Sequence, residues 1–163
     1  MMQIKDNKKR IMVDLDVITV AYFPSNDLRK EYCLSFIERA NKGEFEIITP
    51  SNFEILLLKW KFRELRDKIL DFYKDATTKF IDKIEIIAGL NIKKISFDEI
   101  EEEFKSQGIK EEDILIILIA SIQDLDYVIS YNRKHLKNME KKINEVLKRN
   151  GLSEIRIMSP NEI

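Results

Sequence analysis

The sequence predicts an α/β fold: a three-layer sandwich with a mostly parallel central sheet flanked by helices. Short β-branched runs alternate along the chain with longer segments of helical periodicity, as is typical of parallel sheets. The segment 114–120 is apolar throughout and reads as one buried helix. A length of 163 residues suits one domain. We therefore expect a single domain over 1–163, with a helical insertion at about 134–151.

Composition narrows the class of protein. Lys and Arg number 28 against 29 Asp and Glu, a net charge of −1, which excludes a broadly basic nucleic-acid-coating protein but allows a local basic rim. The single cysteine, Cys33, forms no intramolecular disulfide and suits a reducing compartment. The apolar runs are far too short for a bilayer span, and the first ten residues lack the apolar core of a signal peptide. We expect a cytoplasmic protein that does not bind membranes.

The first half of the chain predicts two strands separated by helices. In order, the predicted elements are a strand ending near Ile18, a helix over 28–42 stopped by Gly43, a strand over 45–48 and helical periodicity over 52–89. A helical pattern this long predicts two helices with a bend. Ser51 and Glu54 have the spacing of a capping box at its start.

The second half continues the alternation. Its predicted elements are an extended or strand segment over 92–95, an acidic helix over 97–108, a buried helix from 111, a strand over 126–130, a charged helix ending near Asn150 and a last strand over 155–158. No internal repeat or low-complexity linker interrupts this pattern.

Four polar residues share one structural context, at or just beyond a strand end or at a helix start: Asp14, Glu54, Asp113 and Asn132. In open α/β sheets, ligands bind at the carboxyl ends of the strands, where Asp14 is expected. A carboxylate beside a buried strand costs free energy unless it is paired, hydrogen-bonded or bound to a cation. Mg²⁺ and Mn²⁺ prefer such oxygen ligands and activate water for phosphoryl displacement.

Each of these residues also has a structural interpretation. Asp14 would simply end a strand, Glu54 would complete the capping box, and Asp113 would interact with a helix dipole. Asn132 would cap a turn. Asp16 either supports the ligands through hydrogen bonds or caps the next turn, so we do not count it among the metal ligands.

Basic residues follow Asn132 directly. Arg133, Lys134 and Lys137 are placed to contact nucleic-acid phosphates beside a metal site, or they form a solvated charged face of a helix. His135 is expected at the surface, because metal-dependent hydrolysis of this kind needs no histidine.

Five segments in this order resemble a PIN domain, the nuclease fold of VapC-type toxins, over nearly the whole chain: VDLDVITVAYF, TPSNFEILL, EEDILIILIAS, DYVISYNRKHL and IRIMSPNEI. The resemblance implies that Asp14, Glu54 and Asp113 are catalytic acids that bind the metal. Asn132 stands where the family commonly has Asp but also has Asn, within a Thr-x-Asp/Asn signature that reads Ser130-Tyr131-Asn132.

The resemblance also implies a function. It predicts a Mg²⁺- or Mn²⁺-dependent endoribonuclease that leaves 5′-phosphates, with Asn132 in the catalytic site and with Ser130, Arg133 and Lys134 at the RNA. It further implies a homodimer and a toxin neutralised by an antitoxin protein. With Asn132 in place of the aspartate that the family commonly has, the site carries one negative charge less. The segment 134–151 is also longer than the corresponding loop of compact toxins. These departures motivate the alternative, a catalytically weakened PIN-fold module that binds RNA or protein.

Overall fold

The computed structural model describes residues 7–163, which form a five-stranded, all-parallel sheet flanked by helices. The predicted α/β class is therefore confirmed. The strands are β1 (Lys9–Val13), β2 (Phe45–Pro50), β3 (Lys79–Ile81), β4 (Tyr127–Ile129) and β5 (Ile157–Met158), in the order β3-β2-β1-β4-β5. The helices are α1 (Leu15–Tyr22), α2 (Lys30–Asn41), α3 (Asn52–Leu58), α4 (Arg63–Ala76), α5 (Lys83–Ile92), α6 (Phe97–Ser106), α7 (Glu111–Ile122) and α8 (Glu140–Arg149).

Strand β1 is the centre of the sheet. Ile11 lies opposite Ile47 of β2 on one side and Tyr127 of β4 on the other, and Val13 lies opposite Ile129. The last three residues of β1 are fully buried, as expected for a strand covered on both faces. Since all the strands run parallel, the ends of β1 and β4 meet at one edge of the sheet.

The first strand is shorter than predicted. It ends at Val13 and not near Ile18, because Asp14 caps a helix: its Oδ1 accepts a hydrogen bond from the Leu15 amide at 2.8 Å. Val17, Ile18 and Ala21 are then buried with helical spacing. A short apolar run fits a buried strand and a buried helix equally well, which explains the error.

The segment 52–89 is also more divided than predicted. It contains α3, α4, β3 and the start of α5, and not two helices joined by a bend. Strand β3 pairs with the carboxyl end of β2, where Thr49 lies opposite Phe80. The Ser51 side chain makes no capping bond, so the predicted capping box with Glu54 is absent. The segment 92–95 is the end of α5 and a turn, not a strand.

The remaining elements follow the predicted order with shifted ends. Helix α8 begins at Glu140, after a short 3₁₀ segment (Lys137–Met139), and packs its Ile143 and Leu147 into the core. Gly43 and Gly151 have φ of 79° and 72°, left-handed conformations that suit the ends of α2 and α8.

Over residues 7–163 no helix is both long and apolar enough to cross a bilayer.

Candidate functional site

Two carboxylates and one hydroxyl meet where β1 and β4 end. Asp14 directly follows β1, Asp16 lies in the first turn of α1, and Ser130 directly follows β4. The Ser130 Oγ donates to Asp14 Oδ2 at 2.8 Å and lies 3.4 Å from Asp16 Oδ2. One buried hydroxyl therefore holds the two carboxylates side by side.

Asp16 has one carboxylate oxygen with a partner and one without. Its Oδ2 accepts a hydrogen bond from the Tyr131 amide at 3.0 Å, whereas its Oδ1 is buried with no partner among the described residues. A buried, unpaired carboxylate oxygen is costly in an apolar setting. A bound cation would remove that cost, so Asp16 belongs with Asp14 in the candidate site.

The charges within the site repel one another. Burial, followed by the charge of Asp14, raises the pKa of Asp16 from 3.8 to about 7. Burial raises the pKa of Asp14 from 3.8 to about 6, and the charges of Asp113 and Glu112 add to it, while the bond from Ser130 opposes the rise. Repelling carboxylates whose charged forms are disfavoured are what a divalent cation would stabilise.

Asp113 joins this group from a third element. It lies in the first turn of α7 and is only 8% exposed. Burial raises its pKa, with contributions from the charges of Glu112 and Asp16, while Lys110 opposes the rise. Asp113 thus raises the pKa of Asp14, an acid 99 positions away in the sequence, and Asp16 raises the pKa of Asp113.

Glu54 lies at the same edge of the sheet but is not joined to the acids. It is in the first turn of α3, directly after β2, the neighbour of β1. Its side chain is exposed and makes no hydrogen bond or ion pair with residues 7–163. Among residues 7–163, no hydrogen bond or ion pair joins Glu54 to Asp14, Asp16 or Asp113, and its charge does not affect their pKa values.

Asn132 caps a turn, the alternative that its position allowed. Its side-chain Oδ1 accepts a hydrogen bond from the His135 backbone amide at 3.0 Å, and its backbone amide donates to Ser130 Oγ at 3.0 Å. The side-chain oxygen is therefore engaged by the backbone, and the residue acts on the acids through Ser130. His135 is half-buried, and Arg133 and Lys134 are exposed.

Tyr73 of α4 holds the end of β1 next to Asp14. Its position in an apolar stripe of the sequence does not reveal this contact. Its buried hydroxyl donates to the Val13 carbonyl oxygen at 2.7 Å, one residue before Asp14. Burial raises the pKa of Tyr73, and the charges of Asp14 and Asp16 raise it further. The tyrosine thus stays protonated and fixes the end of β1.

Within the part of the chain that the structure describes, no group of three or more His, Cys, Asp and Glu side chains is arranged so that it could hold a metal ion.

In comparisons with known proteins, the chain matches no family model, no curated protein and no solved structure. The candidate site is therefore interpreted from its own geometry.

Ser130→Ala is expected to weaken Mn²⁺ binding about 10- to 100-fold, because it removes the hydrogen bond that orients Asp14 and favours its ionised form. Isothermal titration of Mn²⁺ measures this. Ser121→Ala is the matched control, since Ser121 is equally buried but donates to the Ser153 carbonyl oxygen near the other end of α7. Equal Mn²⁺ affinity of the two variants would contradict the role given to Ser130.

Proposed function

We propose that this protein is a Mg²⁺- or Mn²⁺-dependent endoribonuclease of the PIN type, in which Asp14 and Asp16 hold the ion and Asp113 adds negative charge beside them. The observation that carries the proposal is the buried, unpartnered Oδ1 of Asp16 beside two further acids at the carboxyl edge of a parallel sheet. Raised pKa values of all three acids support it.

The donors present fit a hard divalent cation. Mg²⁺ is commonly bound by one or two carboxylates, with waters and substrate phosphate oxygens completing the octahedron. Asp14 and Asp16 supply two carboxylates, and the Asp16 Oδ1 has no competing donor. When bound, such an ion supplies a nucleophilic hydroxide and neutralises charge that develops on the scissile phosphate.

The surrounding residues position these acids and the substrate. Ser130 holds Asp14, and the Asn132 amide orients the Ser130 hydroxyl. Arg133 and Lys134, which follow directly, would bind RNA phosphates next to the acids. Glu54 stands after the neighbouring strand and would add a carboxylate if its side chain turned toward the ion.

A second candidate is a PIN-fold module that binds RNA or protein without cutting. Asn132 favours it, because this residue brings no charge to the site and its oxygen is taken by the His135 amide. Toxin action, neutralisation by an antitoxin protein and homodimer formation remain predictions from the resemblance. Relief of growth arrest by a co-expressed neighbouring gene product would test the toxin role, and sedimentation would test the dimer.

Cleavage of single-stranded RNA by the purified protein tests the proposed function. We expect internal cleavage with Mg²⁺ or Mn²⁺ that leaves 5′-phosphates, and none in EDTA. Asp14→Asn and Asp113→Asn are expected to abolish it. If cleavage survives both substitutions, the site is wrong. If the wild-type protein binds RNA and does not cut it with either ion, the binding module is favoured.

A further inference from the structure

A basic cavity opens directly beside the acids. It has a volume of about 500 Å³, within the range of small-ligand pockets, and is lined by Arg29, Tyr32, Tyr131, Asn132, Arg133, Lys134 and Asn161. Its wall starts at Tyr131, whose amide donates to Asp16 Oδ2. The cavity and the candidate metal site thus share one stretch of backbone.

The charge of this cavity suits phosphate groups. Among residues 7–163, three cationic side chains and no carboxylate line it. Arg29 is held by an ion pair with Asp27 at 2.7 Å, and its guanidinium lies 4.7 Å from the centre of the Tyr131 ring. Arg133 and Lys134 are exposed and form no side-chain hydrogen bond or ion pair within residues 7–163. Both are exposed to an anionic ligand, and the carboxylate of Glu162 lies near enough to Arg133 to be affected by its charge.

The cavity also offers an aromatic surface. Tyr32 of α2 is 54% exposed, although large aromatic rings are usually covered in a folded protein. An exposed ring beside cations is the arrangement that stacks an unpaired nucleobase while basic side chains contact the backbone phosphates. Bases of a duplex are stacked on their neighbours and cannot use such a ring.

We propose that this cavity binds one nucleotide of single-stranded RNA beside the scissile phosphate, its base stacked on Tyr32 and its phosphates held by Arg133 and Lys134. Arg29, fixed by Asp27 and Tyr131, forms the wall that confines the base. The position relative to the scissile phosphate rests on the proposed function. The binding itself does not, because it needs only the cavity.

Fluorescence anisotropy of labelled oligouridylate, measured in EDTA so that nothing is cleaved, tests this inference. Tyr32→Ala is expected to raise Kd about 5- to 100-fold, whereas Tyr32→Phe keeps the ring and binds like the wild-type protein. Arg133→Ala and Lys134→Ala should each lower the slope of log K against log salt by about 0.7, and Tyr32→Ala should leave that slope unchanged.

Lys42→Ala is the charge-matched control, since Lys42 follows the far end of α2, about 20 Å from Arg29, and should bind RNA normally. An unchanged Kd for Tyr32→Ala, or equal competition by duplex RNA, would overturn the inference even if the protein cleaves RNA. Binding that depends on Tyr32, Arg133 and Lys134 in a protein that never cleaves would support the cavity and overturn only the nuclease.

Discussion

Asp16→Asn is expected to lower metal-dependent RNA cleavage at least about 100-fold, as much as Asp14→Asn, because each removes a carboxylate that faces the proposed ion. Asparagine has nearly the same shape as aspartate, and its side-chain oxygen can still accept the hydrogen bond from the Tyr131 backbone amide. Lost charge, and not lost packing, would therefore account for the effect. Initial cleavage rates of the two variants at saturating Mn²⁺ measure it.

Glu54→Gln is the informative comparison. Glu54 is exposed and, within residues 7–163, forms no hydrogen bond or ion pair with the three acids, so its substitution should cost less than Asp16→Asn. A large loss with Glu54→Gln and a small one with Asp16→Asn would reverse the assignment. It would restore the ligand set of Asp14, Glu54 and Asp113 that the sequence predicts, with Asp16 in a supporting role.

Asp16→Asn is also expected to stabilise the metal-free protein, by roughly a few kcal/mol at pH 8 and little at pH 4. The pKa of Asp16 is about 7 in the folded state and 3.8 ordinarily, so folding disfavours its charged form. The folded protein binds more protons than the unfolded chain between about pH 4 and pH 7. The free energy of unfolding therefore falls as pH rises through this window and is lowest above it.

Urea unfolding in EDTA at several pH values measures this difference between variant and wild type. Asp27→Asn is a control of opposite sign, because hydrogen bonds from Arg29 lower the pKa of Asp27 to about 2. Its stabilising charge is present at neutral pH and is lost as pH falls toward about 2. When Mn²⁺ replaces EDTA at pH 8, it should stabilise the wild-type protein far more than it stabilises the Asp16→Asn variant. Equal stabilities of the wild-type protein and the Asp16→Asn variant at pH 8 without metal would contradict the unpaired Asp16.

The sequence predicts the layers of the fold well, because buried strands and amphipathic helices leave clear periodicities. It predicts their ends poorly where the deciding contact is distant. Lys79–Ile81 is too short for a periodic signal and becomes a strand by pairing with β2. The boundary at Asp14 depends on a carboxylate that both follows a strand and caps a helix.

The candidate site shows the same division. Asp14 is expected at the carboxyl edge of the sheet because it follows a buried strand. Asp113 is placed beside it only by the family resemblance, since α7 follows the helix α6 and not a strand. Asp16 could not be ranked from the sequence, since its environment depends on the Tyr131 amide, 115 positions away. Asn132 fits two roles by position alone, and only the bond from His135 shows which one its side chain performs.

A crystal structure of the protein soaked with Mn²⁺, with the ion located by its anomalous scattering, tests the central claim most directly. We expect one ion bound by carboxylate oxygens of Asp14 and Asp16, including Asp16 Oδ1, at about 2.0–2.2 Å, with Asp113 facing the ion through water. An ion bound by Glu54 without Asp16, or an Asp16 carboxylate that stays empty at saturating Mn²⁺, would contradict it.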